Sequence, residues 1–289
     1  MKKKLNKIAR DTNLFLLKFI KKQKKTNLIQ PIKYSLFPGG KKIRSKLIVD
    51  IGKIFKANYN QSIQVGAAVE CIHAYSLIHD DLPCMDNDNM RRGKLSTHKK
   101  FGESTAILAG NSLLTLAFEI LSDKNFSISE KSKVQLIKLI SECSGHAGIA
   151  GGQFSDLNFE KKKIPLKKIV DMQIKKTGKL FSFCCMASLI IKNKKSYLRK
   201  FDKIGSEIGL LFQIADDLID YKGKTKDVGK KTRKDLKKGK ATLIKLIGYR
   251  DTIKYGNKLK LSIFKKLNIF RQKSKDLKET INYILERTK

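Results

Sequence analysis

The chain has 289 residues, 41% hydrophobic and 31% charged, with 63 lysines and arginines against 26 aspartates and glutamates, for a formal net charge of +37. That apolar content excludes a disordered chain and supports one domain over 1–289, since only 4 prolines and no Ser/Gly/Pro linker interrupt it. The charge admits nucleic acid as a partner, but the lysines are spread over the whole length without an aromatic RNA-binding motif or zinc-finger spacing, and they read as solvated faces with no nucleic-acid role.

Helical periodicity places a first helix over 3–25, where Leu5, Ile8, Phe15, Leu16, Phe19 and Ile20 share a stripe. Asn, Lys, Arg and Asp interrupt this segment, so it lacks the apolar core of a signal peptide. Further helices are expected over 40–57, 61–82, 102–123, 129–149, 165–192, 196–222 and 239–287, the last with breaks. Gly39-Gly40, Gly93, Gly102, Gly151-Gly152, Gly223 and Gly229 fall between them. Strand alternation is nearly absent, and the expectation is an all-α bundle of about ten helices. Residues 61–79 and 205–219 are apolar nearly all round, which places them at its centre. No apolar run is expected to reach the roughly 20 residues of a membrane span. Five cysteines without a CxxC pair suggest neither a disulfide framework nor a zinc site, and a cytoplasmic setting is expected.

Against the basic background, carboxylates gather in two places. HDDLPCMDND holds Asp80, Asp81, Asp86 and Asp88, with Pro83 ending the helix before Asp86. FQIADDLID holds Asp216, Asp217 and Asp220, and the four-residue step puts Asp216 and Asp220 on one face. Carboxylates crowded at the ends of apolar helices repel, and one should protonate unless a cation sits among them. Hard divalent ions answer that need, and Mg²⁺ sites of this kind bridge carboxylates to phosphate oxygens. Cationic residues lie near: Gly39-Gly40-Lys41-Lys42-Ile43-Arg44 at a helix start, Arg91-Arg92-Gly93, Lys176-Thr177-Gly178, Lys230 and Lys240.

The stretches GGKKIRS, AVECIHAYSLIHDDLPCMDNDNMRRG, THKKFGESTAILAGNSLL, GGQFSDL, KKTGKL and GLLFQIADDLID, in this order, resemble the trans-isoprenyl diphosphate synthases over nearly the whole chain. The resemblance implies an all-α isoprenoid synthase bundle around a central cavity, acting as a homodimer. It implies a prenyl transfer in which isopentenyl diphosphate condenses with dimethylallyl diphosphate and then geranyl diphosphate to give farnesyl diphosphate. Three Mg²⁺ ions are implied, with Mn²⁺ as a substitute. The match makes Asp80, Asp86 and Asp216 metal ligands, with Asp81, Asp217 and Asp220 close by. Arg91, Lys176, Lys230 and Lys240 are implied to hold the allylic diphosphate, and Thr177 and Gln213 to position it. Lys41, Arg44, His73 and Arg92 match the isopentenyl diphosphate pocket. His73, read without the resemblance, is a satisfied core histidine rather than a ligand-binding one.

Product length is implied to rest on Tyr75, five residues before Asp80, and on its neighbour Ser76. A tyrosine there, with the two-residue extension within Leu82-Pro83-Cys84-Met85, resembles the farnesyl type. The small Ser76 keeps a longer geranylgeranyl product as the alternative. The chain departs from the family pattern at Lys42, Ser45, Ala215 and Lys224, none of which removes an aspartate. A terpene cyclase would need no GGKKIR segment, and a nucleic-acid-binding protein would leave both acidic clusters unexplained.

Overall fold

The computed structural model describes residues 1–222 and 240–286. In chain order the helices are α1 (Lys2–Lys21), α2 (Ile29–Leu36), α3 (Ile43–Ile54), α4 (Tyr59–Asp80), α5 (Thr97–Phe101), α6 (Glu103–Ser122), α7 (Glu130–Ser144), α8 (Ile149–Phe159), α9 (Leu166–Gln173), α10 (Lys179–Ile191), α11 (Leu198–Lys222), α12 (Leu243–Ile247), α13 (Tyr249–Leu267) and α14 (Lys275–Glu286). One short antiparallel hairpin, β1 (Met90–Arg91) and β2 (Lys94–Leu95), interrupts them, so the all-α expectation holds.

The helices expected to be central are central. α4 begins at Asn58, whose side chain accepts from the backbone N–H groups of Asn60 and Gln61 and caps the first turn. Val65, Ala67, Ala68, Val69, Cys71 and Ile72 of α4 are all fully buried, because neighbours cover it on every side. It packs against α3, α6 and α1, while α10 packs against α11 and α3.

Three helices were not expected: α2, the five-residue α5, and α8. α2 is short, and Pro31 lies inside its first turn, where a missing N–H costs nothing. α8 runs through Gly151-Gly152, which the sequence assigns to a break. The reason is tertiary. A Cβ on Gly152 would collide with the Lys176 backbone, so the glycine lets two helices touch rather than ending one. The expected helix over 239–287 divides at Gly248 (φ +81) and at a 3₁₀ turn, Asn268–Ser274, where Arg271 has φ 44.

α6 is 20 residues long with a mean hydropathy of 1.4 over its best window, enough by length and composition alone to cross a membrane; Asn111, Ser112 and Thr115 interrupt it, so it is not an unbroken apolar run, and 44% of that window is buried. Its outer face leaves Ile107 and Leu108 exposed.

α14 is fastened to α3 by a polar network with no exposure to water. Lys46 pairs with Asp50 one turn away and also donates to Thr280 Oγ1 at 3.3 Å, while the Thr280 hydroxyl donates to Asp50 Oδ2 at 2.6 Å. At the rim, Lys53 reaches Asp276 at 2.5 Å.

Candidate active site

The ends of α4 and α11, the hairpin, α8 and the segment entering α12 enclose a cavity of about 360 Å³. Its wall carries Asp80, Asp86, Asp216, Asp217 and Asp220, together with His73, Arg91, Arg92, Lys176, Gln213 and Lys240. Two acidic clusters 136 residues apart, from Asp80 to Asp216, thus share one enclosed space. Lys230 lies outside the described residues, as does Lys224.

Pro83 and the turn after α4 shape the first wall. The Asp86 N–H returns to the Asp80 carbonyl at 2.8 Å, and the Asp88 N–H to the Asp81 carbonyl at 3.0 Å, which folds the acidic run back on the helix end. Burial pushes the Asp80 carboxyl up to about 6, against the pull of Lys176 and with the repulsion of Asp86 adding to it. Asp81 stands close by, behind the wall. It does not line the cavity, and both its oxygens accept from Arg91 Nε, at 3.1 and 3.2 Å, with a further bond from Arg91 Nη2. Its carboxylate aims the guanidinium rather than facing a ligand.

The second wall rests on an irregular helix. Between α9 and α10 the backbone widens into one π-helical turn, Ile174–Gly178, which presents Lys176 and Thr177. Such turns recur where a side chain has to be re-aimed at a site. The Thr177 hydroxyl donates to Gln213 Oε1 at 3.2 Å, and Gln213 Nε2 donates to Asp217 Oδ1 at 2.9 Å. Thr177 therefore stands just behind the lining and reaches it through Gln213. Gln173, also on the lining, donates to Asp217 Oδ2 at 3.4 Å.

Asp156 is the residue that sequence reasoning missed. Lys176 Nζ donates to its Oδ2 at 2.6 Å, and Lys240 Nζ approaches the same oxygen at 3.4 Å while donating to Asp86 Oδ1 at 3.0 Å. Burial alone would raise the Asp156 carboxyl, but the two ammonium groups hold it below the usual carboxylate range. It gathers two lysines, 64 residues apart, at one point of the wall. The available signal was a lone acid inside the glycine-rich GGQFSDL, in a segment with no partner of its own.

A cationic group lies beside the acidic cavity. Gly39 and Gly40 have φ +89 and +119, and Arg92 donates to the Gly39 carbonyl. A Cβ on Gly40 would sit 2.6 Å from Arg92 Nη1, so the second glycine makes room for the guanidinium. Arg44 is buried, its guanidinium 4.9 Å from the centre of the Phe181 ring and 5.5 Å from that of Phe212, and its Nε has no hydrogen-bond partner among the described residues. Burial, then the charges of Arg44, Arg92, Lys42 and Arg91, hold His73 well below its usual range, so it is a neutral imidazole. Lys41 and Arg44 belong to this group but do not line the cavity itself. Lys42 turns inward, to Glu70 at 3.4 Å and the Leu36 carbonyl at 3.3 Å. The Ser45 hydroxyl also donates to Glu70, at 3.4 Å. These two departures from the family pattern therefore sit behind the site, not in it.

Tyr75 and Ser76 are not on the cavity wall. Tyr75 is half-buried edge-on against His79, with ring centres 5.2 Å apart, and the Ser76 hydroxyl bonds back to the His73 carbonyl at 3.0 Å.

The donor set suits hard cations. It consists of carboxylate oxygens, and burial raises the Asp80 carboxyl even with Lys176, Arg91 and Lys240 near it. Among the described residues no three acidic, His or Cys side chains converge on one point. Arg91, Lys176 and Lys240 line the same cavity as these carboxylates.

A family model described as polyprenyl synthetase matches residues 25–284. The farnesyl diphosphate synthase of Micrococcus luteus is 38% identical over 265 residues, covering 91% of this chain and 90% of that protein. Among solved structures, an FPP/GFPP synthase from Zymomonas mobilis superposes with a TM-score of 0.87 at 34% identity, covering 98% of both chains. A geranyltransferase from Helicobacter pylori, complexed with magnesium and isoprenyl diphosphate, superposes with a TM-score of 0.82 at 29% identity, over 98% of this chain and 96% of that one.

Proposed function

This chain belongs to the polyprenyl synthetase family, and from that premise we propose how its residues carry out the transfer. It is a prenyltransferase that makes farnesyl diphosphate from isopentenyl diphosphate and the shorter allylic diphosphates. The observation that carries the residue assignment is the shared cavity: two acidic walls and four arginine and lysine side chains face one space.

Asp80 and Asp86 on one wall and Asp216 on the other would hold Mg²⁺, three ions in all. When bound, Mg²⁺ would supply positive charge that eases departure of the allylic diphosphate. Arg91, Lys176 and Lys240 bind the same diphosphate and stabilise the charge that grows on it as the C1–O bond breaks. Asp81 and Asp156 keep those cations aimed while the site is unloaded. Gln213 turns its amide oxygen toward the allylic cation left behind, and Thr177 holds Gln213 from behind. Leu77, Met172 and Phe212 on the same wall keep water from it. Isopentenyl diphosphate keeps its own diphosphate, which Lys41, Arg44, His73 and Arg92 hold without metal. Its double bond attacks C1 of the cation, a new C–C bond forms, and a proton passes to an oxygen of the departed diphosphate. One such cycle gives geranyl diphosphate and the next farnesyl diphosphate.

The tail grows from the acidic rim along α4, and Tyr75 ends it. The test is a product analysis with dimethylallyl diphosphate, labelled isopentenyl diphosphate and Mg²⁺, in which the dephosphorylated alcohols are separated by length. Farnesol is the expected main product of the wild type, and Tyr75→Ala shifts it to geranylgeraniol and longer. Geranylgeraniol from the wild type, or unchanged farnesol from the variant, would remove Tyr75 from its role.

The exposed apolar face of α6 carries the second assignment: it is where two copies meet as a homodimer. Ile107 and Leu108 are 43% and 55% exposed on a helix otherwise apolar enough for a membrane. Leu108→Asp is expected to convert a dimer of about 66 kDa, twice the 32.9 kDa chain, into monomer in sedimentation velocity. An unchanged sedimentation coefficient would place the interface elsewhere. The five free thiols, four of them buried, fit a reducing cytoplasm.

A further inference from the structure

We infer that Tyr283, on the last described helix, is a positioning residue for the isopentenyl diphosphate pocket, acting through Lys41. The inference rests on the assignment of Lys41 to that pocket. Lys41 Nζ stands 5.2 Å from the centre of the Tyr283 ring, within the range in which an aromatic face attracts an ammonium group. The tyrosine is held there by the polar network already described. Three contacts trace α14 running antiparallel along α3 and the loop before it: Lys53 with Asp276, Asp50 with Thr280, and Lys41 with Tyr283. As the numbers fall along α3 they rise along α14. Thr280 is fully buried against Asp50, and Tyr283 lies less than one turn further on. The helix is therefore pinned at the residue that sets the height of the ring.

A lysine side chain is a long flexible stem that loses rotamer entropy when it is fixed. A ring that already attracts the ammonium lowers that loss at the moment the diphosphate arrives. Among the described residues the Tyr283 hydroxyl makes no hydrogen bond, so the aromatic face is the working part, and phenylalanine should replace it.

The test is a kinetic cycle on the full-length enzyme, with Tyr283→Phe, Tyr283→Leu, Lys41→Gln and the double variant Lys41→Gln/Tyr283→Leu. KM for isopentenyl diphosphate is measured at saturating geranyl diphosphate, and KM for geranyl diphosphate at saturating isopentenyl diphosphate. Tyr283→Leu is expected to raise the first KM about threefold to tenfold, with kcat and the second KM within about twofold of wild type. Tyr283→Phe should match the wild type, and Tyr283→Leu should add nothing in the Lys41→Gln background. The inference is overturned if Tyr283→Leu leaves KM unchanged, moves both KM values together, or acts equally with and without Lys41. Loss in Tyr283→Phe equal to that in Tyr283→Leu overturns the role of the ring. If Lys41→Gln itself leaves KM for isopentenyl diphosphate unchanged, the pocket assignment fails instead. Circular dichroism melts accompany each variant, and if the leucine form does not fold, Tyr283→Met takes its place in the same cycle.

Discussion

Replacing Asp80 by asparagine is expected to lower kcat by about 10³-fold or more while leaving the fold intact. The carboxylate lies on the cavity wall, at the end of the central helix α4, and burial pushes it up to about 6. An amide of the same shape keeps the packing and removes the charge that a metal and a leaving diphosphate require. It also relieves the repulsion with Asp86, so stability is expected to stay level or rise slightly. Turnover by the product assay, read beside a thermal melt, decides the matter. A variant that retains near-normal turnover would mean that Asp80 holds no metal in the reaction. A variant that loses activity together with its melting transition would show that the carboxylate is structural.

The second large effect is on stability. Asp50→Ala is expected to destabilise the protein by about 3–5 kcal/mol, because it leaves the Lys46 ammonium buried without its counter-charge. Both side chains have 0% exposure, and Thr280 is the remaining polar group the lysine reaches. In a chain of this size that loss should lower the melting temperature by roughly 6–15 °C. The double variant Lys46→Met/Asp50→Leu, which removes both charges and fills the space, should recover most of it, since buried pairs replaced by apolar groups are often neutral. Equal losses in the single and the double variant would show that packing, not charge pairing, joins α3 to α14. Solvent denaturation monitored by circular dichroism measures both.

Much of the architecture was legible because the apolar residues repeat at helical spacing. α4 and α11 were readable as central helices, since a helix apolar all round has no face to give to water. The acidic clusters were legible for a different reason. In a chain with 63 basic residues, carboxylates packed at the ends of apolar helices have an evident purpose. α8 was not legible. Its Gly151-Gly152 pair reads as a stop, and only the Lys176 backbone pressed against Gly152 explains why the helix continues. Asp156 was hidden for the same reason: its two lysines come from other parts of the chain. Asp81 was readable as part of an acidic motif, yet its partner Arg91 turns it away from the cavity.

Spacing and composition by themselves determined the helical class, the central helices and the two acidic motifs. Each of these depends on periodicity within a few turns of chain, which is a local property. Only the tertiary structure decided which carboxylates face the cavity and which aim a cation, and only it brought Lys176 and Lys240 to Asp156 and Tyr283 to Lys41. Those relations join residues 20 to about 240 positions apart, and helix packing sets them. A side chain's neighbours along the helix follow from a period of about 3.6 residues, whereas its neighbours across the bundle follow from where every other helix comes to rest.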